Sequence, residues 1–290
     1  MRFDPVNTAV LDAVVTAYLD SHPDLPEAYI LQQDLFTALS RRALLSTLNI
    51  QSGWTILDAG CGFGVVPLDL AGNLTVEAHG IDSDPAKLAV ARELADLLIE
   101  QEHPMAGSSI SFEEGEVART PYADATFDFV LCSFVFQHLT DPEGATDELH
   151  RITKPGGLVC LIDADDGLSL VFPEPSGSFA ALNAAFDQLQ VSRGGDRHVG
   201  RKLASYLDGS GFAVISTLLM PAAEYRASQP GDPGRKFLLD RFVEERESII
   251  AGGIMGDDEF DAHMKTLESE VSLVQFRTNS QLIAVGRRSG

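Results

Sequence analysis

Nine residues constrain this chain more than any others: Ile56-Leu57-Asp58-Ala59-Gly60-Cys61-Gly62-Phe63-Gly64. An apolar run ends in a carboxylate, three glycines follow at alternate positions, and Val65 and Val66 open a helical pattern. That is the signature of a parallel strand, a tight turn and a helix start. Glycine admits torsions and close approaches that a Cβ blocks, and the first turn of a helix presents unsatisfied N–H groups to a ligand. The spacing is G-x-G-x-G, not the G-x-G-x-x-G of dinucleotide sites, and an acid stands immediately before it.

The rest of the chain alternates helical and strand patterns around this turn. Helical periodicity covers Asn7–Leu19 and Pro26–Leu48, and a strand covers Trp54–Ala59. Val65–Ala71 reads as a helix, Val76–Ile81 as a strand running to Asp82, and Pro85–Glu100 as a helix with proline in its first turn. Strands follow at Ile110–Glu114, Phe127–Cys132 and Leu158–Asp163, with a helix from Gly144 to Thr153 before the last. Phe127–Cys132 is continuously apolar, as a central parallel strand must be. This alternation predicts an α/β, doubly wound, mostly parallel sheet. Beyond Asp163 the pattern loosens: helices at Phe179–Gln190 and Leu203–Leu207, a strand at Phe212–Met220, a largely helical stretch over Pro221–Ser269, and a final hairpin or broken strand over Leu273–Arg277 and Gln281–Val285.

At 290 residues and 44% apolar, the chain can bury a substantial core. A net charge of −22 repels phosphate backbones, which argues against a nucleic-acid partner. Three cysteines, Cys61, Cys132 and Cys160, lie in or beside apolar runs without C-x-x-C spacing, so buried thiols in a reducing compartment are expected. No leader pattern opens the sequence and no apolar run reaches the ~20 residues of a membrane span. A cytoplasmic protein without membrane insertion is the expectation.

Asp82 lies 24 positions after Asp58, at the end of the second strand. A carboxylate there accepts hydrogen bonds from ribose hydroxyls. Asp58 beside the turn makes pyrophosphate an awkward ligand and suits one bearing an ammonium or other positive centre. With these features the chain resembles class I S-adenosylmethionine-dependent methyltransferases, in particular the small-molecule subgroup of quinone-biosynthesis and natural-product enzymes. The resemblance rests on Leu57–Gly64, on Gly80-Ile81-Asp82-Ser83-Asp84-Pro85, on Gly115-Glu116-Val117 with Pro121–Asp128, on His138-Leu139 with Glu148 and Arg151, and on Lys154-Pro155-Gly156-Gly157. These motifs stand in order across roughly residues 54 to 163.

The resemblance implies a Rossmann-like, seven-stranded sheet with an antiparallel last strand, flanked by N-terminal helices and a helical cap. The implied division is an N-terminal helical segment over 1–50, a cofactor-binding core over 51–164, a substrate-facing stretch over 165–220, a cap insertion over 221–271 and closing strand structure over 272–290. It implies S-adenosyl-L-methionine as cofactor and S-adenosyl-L-homocysteine as product. Gly60, Gly62 and Gly64 would approach the methionine and ribose portions, Asp58 would lie near the amino group, and Asp82 would hold the ribose diol with Ser83 at the adenine edge. Glu116 stands where relatives often carry aspartate, and the Val117 backbone is a further adenine contact. Cys132 and Ser133 would face the sulfur, with Gln137 and His138 on the loop above. Tyr29, Gln33 and Arg41 would close over the cofactor, with Arg41 meeting its carboxylate.

Glu148 and Arg151, three apart on one helix, read as a structural pair. His198, in the irregular stretch after the fifth strand, is the first choice as catalytic base, with His138 second; each also reads as a packing or surface histidine. The run Asp163, Asp165, Asp166 lacks a partner motif, so no metal is expected. Phe172, Phe179, Phe186, Tyr225, Phe237, Phe242, Ile254 and Met255 mark the region of an apolar acceptor pocket, with many of them expected to serve helix packing instead. A small hydrophobic metabolite is the expected acceptor, and a homodimer is left open. A cyclisation or rearrangement on the same fold, or a nicotinamide oxidoreductase, are the alternative chemistries.

Overall fold

A computed structural model describes residues 3–101, 105, 107–174, 176–225, 233–270 and 276–290, with backbone only at 221–225, 233–238, 277, 279 and 280. Five strands form a parallel array: β1 (Thr55–Ala59), β2 (Glu77–Asp82), β3 (Ser109–Glu114), β4 (Phe127–Ser133) and β5 (Thr153–Ala164), ordered β3-β2-β1-β4-β5. The order reverses between β1 and β4, and the carboxyl ends of these two strands open the crevice in which such sheets bind ligands. The sheet then turns antiparallel. β8 (Phe276–Arg288) pairs with β5 on one side and with β7 (Phe212–Tyr225) on the other. A short strand, β6 (Leu170–Phe172), pairs with β8 from Phe276 to Thr278.

Helices cover both faces. α1 (Pro5–Ser21), α2 (Ala28–Thr47), α3 (Val65–Ala71) and α4 (Pro85–Glu100) pack on one face, around Ile56, Ala78, Phe129 and Leu131 nearer the centre and around Phe63, Leu94 and Phe112 toward β3. α5 (Pro142–Ile152) and α7 (Leu203–Gly209) cover the other, where Leu57, Val130, Cys132, Val159 and Leu161 point. Alternation of side chains along a strand produces this division. Pro85 opens α4 as expected, and Asp84 caps it by accepting from Ala86 N at 2.9 Å. The Glu148–Arg151 pair forms at 2.7 Å, and Glu148 also accepts from the Thr120 N–H and hydroxyl, tying α5 to the chain after β3.

Three further helices make a small layer with its own core. α6 (Gly177–Ser192), α8 (Pro233–Ala251) and α9 (Asp257–Ser269) bury Leu182, Phe186, Phe242, Phe260 and Leu267 against one another. α8 and α9 fall in sequence between β7 and β8. α9 begins on Asp257, Asp258 and Glu259, where negative charge suits a helix N-terminus.

Three elements differ from the sequence expectation, the first being β7, which runs past Met220 to Tyr225 into the stretch read as largely helical. The end of the chain is one long strand, Phe276–Arg288, held on both edges; residues 271–275 lie outside the described residues. The three-residue β6 sits in a stretch read as irregular, because Pro173 directly after it conceals a strand signal that short.

Candidate cofactor and acceptor site

The glycine turn is built as its sequence requires. The Gly60 and Cys61 N–H groups both donate to Ile81 O at 2.8 Å, folding the turn back on the end of β2. Gly60 has φ +79°, and a Cβ there would lie 2.3 Å from Val135 Cγ2. Gly64 has φ +72°, and its Cβ would meet Phe112 Cε1 at 2.5 Å and Ala91 Cβ at 2.7 Å. Gly64 therefore packs the helix start against the sheet. Gly62 faces space: the nearest atom to its Cβ position is Ile30 Cγ2 at 3.9 Å. Asp82 Oδ2 accepts from Gly62 N at 2.8 Å while Asp82 Oδ1 accepts from Asp84 N at 2.9 Å, so the ribose-position carboxylate is fixed from both sides.

Asp58 shares its sheet face with the N-terminal helices. It is buried, and its Oδ1 has no hydrogen-bond partner. Burial, reinforced by Asp34 and Asp82 and opposed by Arg41, pushes its pKa up to about 8. Arg41 on α2 is 4% exposed, and its Nε and Nη2 are unpartnered. A buried acceptor and buried donors left unused in one region are the complement of an amino-acid zwitterion, since buried polar groups otherwise pair within the protein. With the Asp82 carboxylate and the opening at Gly62, this donor set fits a ligand carrying an ammonium, a carboxylate and a ribose diol.

The other expected contacts divide. Ser83 and Glu116 are exposed at the ends of β2 and β3, and the Val117 side chain is buried beneath them. Ser133 lies on the Asp58 face at the end of β4. Cys132 does not: strand alternation turns its side chain into the apolar layer of Leu57, Val130 and Leu161, fully buried, so only its backbone reaches the strand end. Phe134, next in the chain, takes a left-handed φ of +58° and donates its N–H to Ile162 O at 2.8 Å. That sparsely populated conformation re-aims the chain over the turn. Gln33 is half-buried on α2, and its backbone carbonyl accepts from the Thr37 hydroxyl at 2.9 Å. The neighbouring Gln32 carries a buried unpartnered Oε1 that sequence reasoning missed. Tyr29 turns toward α8, where burial and the carboxylates of Glu27, Glu244 and Glu245 raise its phenol pKa.

Gln137 bridges to the cap rather than reaching freely toward a ligand. Its Oε1 accepts from Arg197 Nη1, its Nε2 donates to Phe134 O at 3.2 Å, and its backbone N–H donates to Asp163 at 3.1 Å. Arg197 in turn grips Asp166 through two bonds of 2.8 Å. His138 ends a 3₁₀ turn (Phe136–His138); its ring is solvent-accessible and hydrogen-bonded to Gln190 on α6. The surrounding protein, with the positive Arg197 nearby, holds its imidazole below the ordinary range, so it is neutral at pH 7. His198 is exposed, and its Nδ1 lies 4.0 Å from Asp165.

Asp163, Asp165 and Asp166, where no metal is expected, each bond within the protein. Asp163 accepts from Ala164 N and Gln137 N, Asp165 pairs with Arg201, and Asp166 with Arg197. The expected apolar pocket is revised. Phe179, Phe186, Phe242, Ile254 and Met255 form or border the core of α6, α8 and α9, and Phe172 is exposed on β6. The side chains of Tyr225 and Phe237 lie outside the described residues. Gln137, Arg197 and Asp166 are joined to one another, with His138 exposed beside them.

The family model described as "Methyltransferase domain" matches residues 57–161, the span from β1 to β5. Residues 57–161 carry a methyltransferase domain of the kind that model describes. It is 33% identical over 155 residues to a demethylmenaquinone methyltransferase of Deinococcus radiodurans, a match covering 53% of this chain and 58% of that protein. The chain spans about half the length of the curated relatives it matches. Among solved structures, a putative methyltransferase from Bacillus halodurans superposes with a TM-score of 0.56 at 16% identity, covering 86% of this chain and 98% of that one. A Haemonchus contortus phosphoethanolamine N-methyltransferase in complex with S-adenosyl-L-methionine gives 0.53 at 16% identity, covering 95% and 60%. At these identities the structures share the fold with the methyltransferase domain described here.

Proposed function

We propose that the protein transfers a methyl group from S-adenosyl-L-methionine to a small organic acceptor. The observation that carries this reading is the buried Asp58 oxygen left unpaired beside the unpaired Arg41 nitrogens, one turn away from a fixed Asp82. Asp58 and Arg41 take the two charges of the amino-acid end. Asp82 takes the ribose diol, with Ser83, Glu116 and the Val117 backbone along the adenine. The cofactor supplies an electrophilic methyl group; the chain supplies alignment, worth up to ~7–11 kcal/mol in the best intramolecular cases.

The acceptor enters past Gln137, His138 and Arg197. Where the nucleophile keeps its proton, His138 accepts it. This histidine stands on the loop following β4, is neutral at pH 7 and keeps its imidazole reachable from solvent. His198, exposed and nearest to Asp165, is the weaker choice. The demethylmenaquinone methyltransferase among the relatives supports an acceptor of quinone-precursor type or a similar natural product, small and largely apolar. The test is incubation of the enzyme and methyl-labelled cofactor with candidate metabolites, read by mass spectrometry. A labelled product heavier by one methylene supports the reading. A product of unchanged mass would place the chain among cofactor-binding enzymes that cyclise or rearrange.

A further inference from the structure

Helix α2 carries two adjacent arginines with opposite fates. Arg42 is saturated: two bonds of 2.8 and 2.7 Å hold Asp12 of α1, and one of 2.7 Å holds Asp69 of α3. Arg41 is only half used. Its Nη1 donates to Asp34 O and to Thr37 Oγ1, both at 3.1 Å, and lies 3.4 Å from Asp34 Oδ1. Its Nη2 comes no closer than 3.9 Å to Asp69, which Arg42 already occupies. On the turn side stands Asp58 with its unbonded oxygen.

The charges in this region do not balance. Asp12, Asp34, Asp58 and Asp69 face Arg41 and Arg42, and Asp82 and the Cys61 thiol adjoin them from the glycine turn. On the opposite face of β4, the Cys132 thiol feels Asp58 and Asp163. Arg42 is bonded to both Asp12 and Asp69, one positive charge against two negative ones. That leaves Asp34, partly buried, and Asp58, buried, to share one guanidinium. Two carboxylates so placed cannot both ionise freely, and the excess charge is relieved either by a proton or by a bound cation.

We propose that Asp34 is a cofactor-binding residue: with Asp58 it receives the ammonium of the cofactor's amino-acid end, opposite Arg41, and seating that ammonium displaces a proton from the Asp34–Asp58 pair. The displaced proton passes to solvent as the carboxyl becomes a carboxylate, and no bond to the cofactor forms or breaks. This rests on the cofactor reading above. Burial raises Asp34 to about 6, with Arg41 opposing, and Asp58 to about 8. A bound ammonium favours the ionised forms, so both pKa values fall on binding. Protons are then released between the bound and free values, and affinity rises with pH until the free pair is itself ionised near pH 8.

Calorimetric titration of the full chain with S-adenosylhomocysteine tests this. Run at pH 7 in phosphate and in Tris, the wild type is expected to give a more exothermic heat in Tris, which takes up the released protons. Its affinity is expected to increase from pH 6 to pH 8, by up to about tenfold per pH unit for each proton released. Asp34→Asn is expected to bind on the order of tenfold more weakly at pH 8 and to release fewer protons. Buffer-independent heats for the wild type, or unchanged affinity and proton release in the variant, would overturn the proposal and leave the cofactor reading intact. Should the variant not fold, the wild-type heats decide alone. No binding of S-adenosylhomocysteine at any pH would overturn the cofactor reading and this proposal together.

Discussion

The two sides of the crevice treat most of their polar groups differently. Around the glycine turn, Asp58, Arg41 and Gln32 keep buried polar atoms without partners. On the cap side, Arg197 is shared between Asp166 and Gln137, Arg201 holds Asp165, and Arg193 joins α6 to α8 through Glu245 at 2.8 Å. Unused buried atoms cost stability until a ligand pairs with them, so the first side is specified by its ligand's charges. The groups paired on the cap side need no ligand, so that side is largely preset, although Asp187 of α6 keeps one buried oxygen without a partner. One side selects by chemistry, the other by shape and position.

The largest effect that separates the two sides comes from the cap core. Phe242→Ala removes a fully buried ring from between α6, α8 and α9 and should destabilise that layer by about 3–5 kcal/mol. S-adenosylhomocysteine affinity should stay within about twofold, as expected for sites with no shared partners; a large loss would show that the two sides are not independent. Gly60→Val should cost at least about 3 kcal/mol in thermal or denaturant unfolding. The new side chain would overlap Val135 and force a β-branched residue to φ +79°.

Smaller effects belong to the ligand-specified side. Asp82→Ala should weaken S-adenosylhomocysteine on the order of 100-fold, by loss of charge-assisted bonds, with melting temperature reduced only modestly. Asp58→Asn sharpens the contrast through its sign. A carboxyl raised to about 8 in the fold and near 4 when unfolded stabilises the protein fully at low pH and loses that contribution as pH rises from 4 through 8. The ligand-free variant should therefore gain stability over the wild type as pH rises from 4 through 8. Its affinity for S-adenosylhomocysteine should fall. A variant destabilised at pH 8 would mean that Asp58 is paired within the protein after all.

The same contrast explains what the sequence revealed. The turn and its strands were readable because local physics dictates them. A buried parallel strand must be apolar, a turn passing under Val135 must carry glycine at position 60, and a carboxylate at Asp82 has a chemical purpose at a strand end. The parity of β4 was harder. Cys132 and Ser133 alternate faces, and only the register of Leu131 beside Asp58 shows which one shares the site. Asp34 left a faint signal: Asp34, Thr37 and Arg41 recur on one face of α2, polar residues beside an apolar stripe. The cap side left almost none. Gln137, Arg197 and Asp166 meet across 60 and 31 residues of chain, and no local pattern marks that meeting. Phe179, Phe186 and Phe242, read as pocket lining or as helix packing, belong to the core that holds α6, α8 and α9 together, and periodicity alone does not separate those roles.

The central claim is that the turn from Asp58 to Gly64, closed by Asp82, was built for S-adenosylmethionine. Parallel calorimetric titrations of the full chain with S-adenosylhomocysteine and with NAD test it most directly. The account predicts saturable binding of S-adenosylhomocysteine at one site per chain, weakened by Asp82→Ala, and no binding of NAD. Saturable binding of NAD with none of S-adenosylhomocysteine would contradict it.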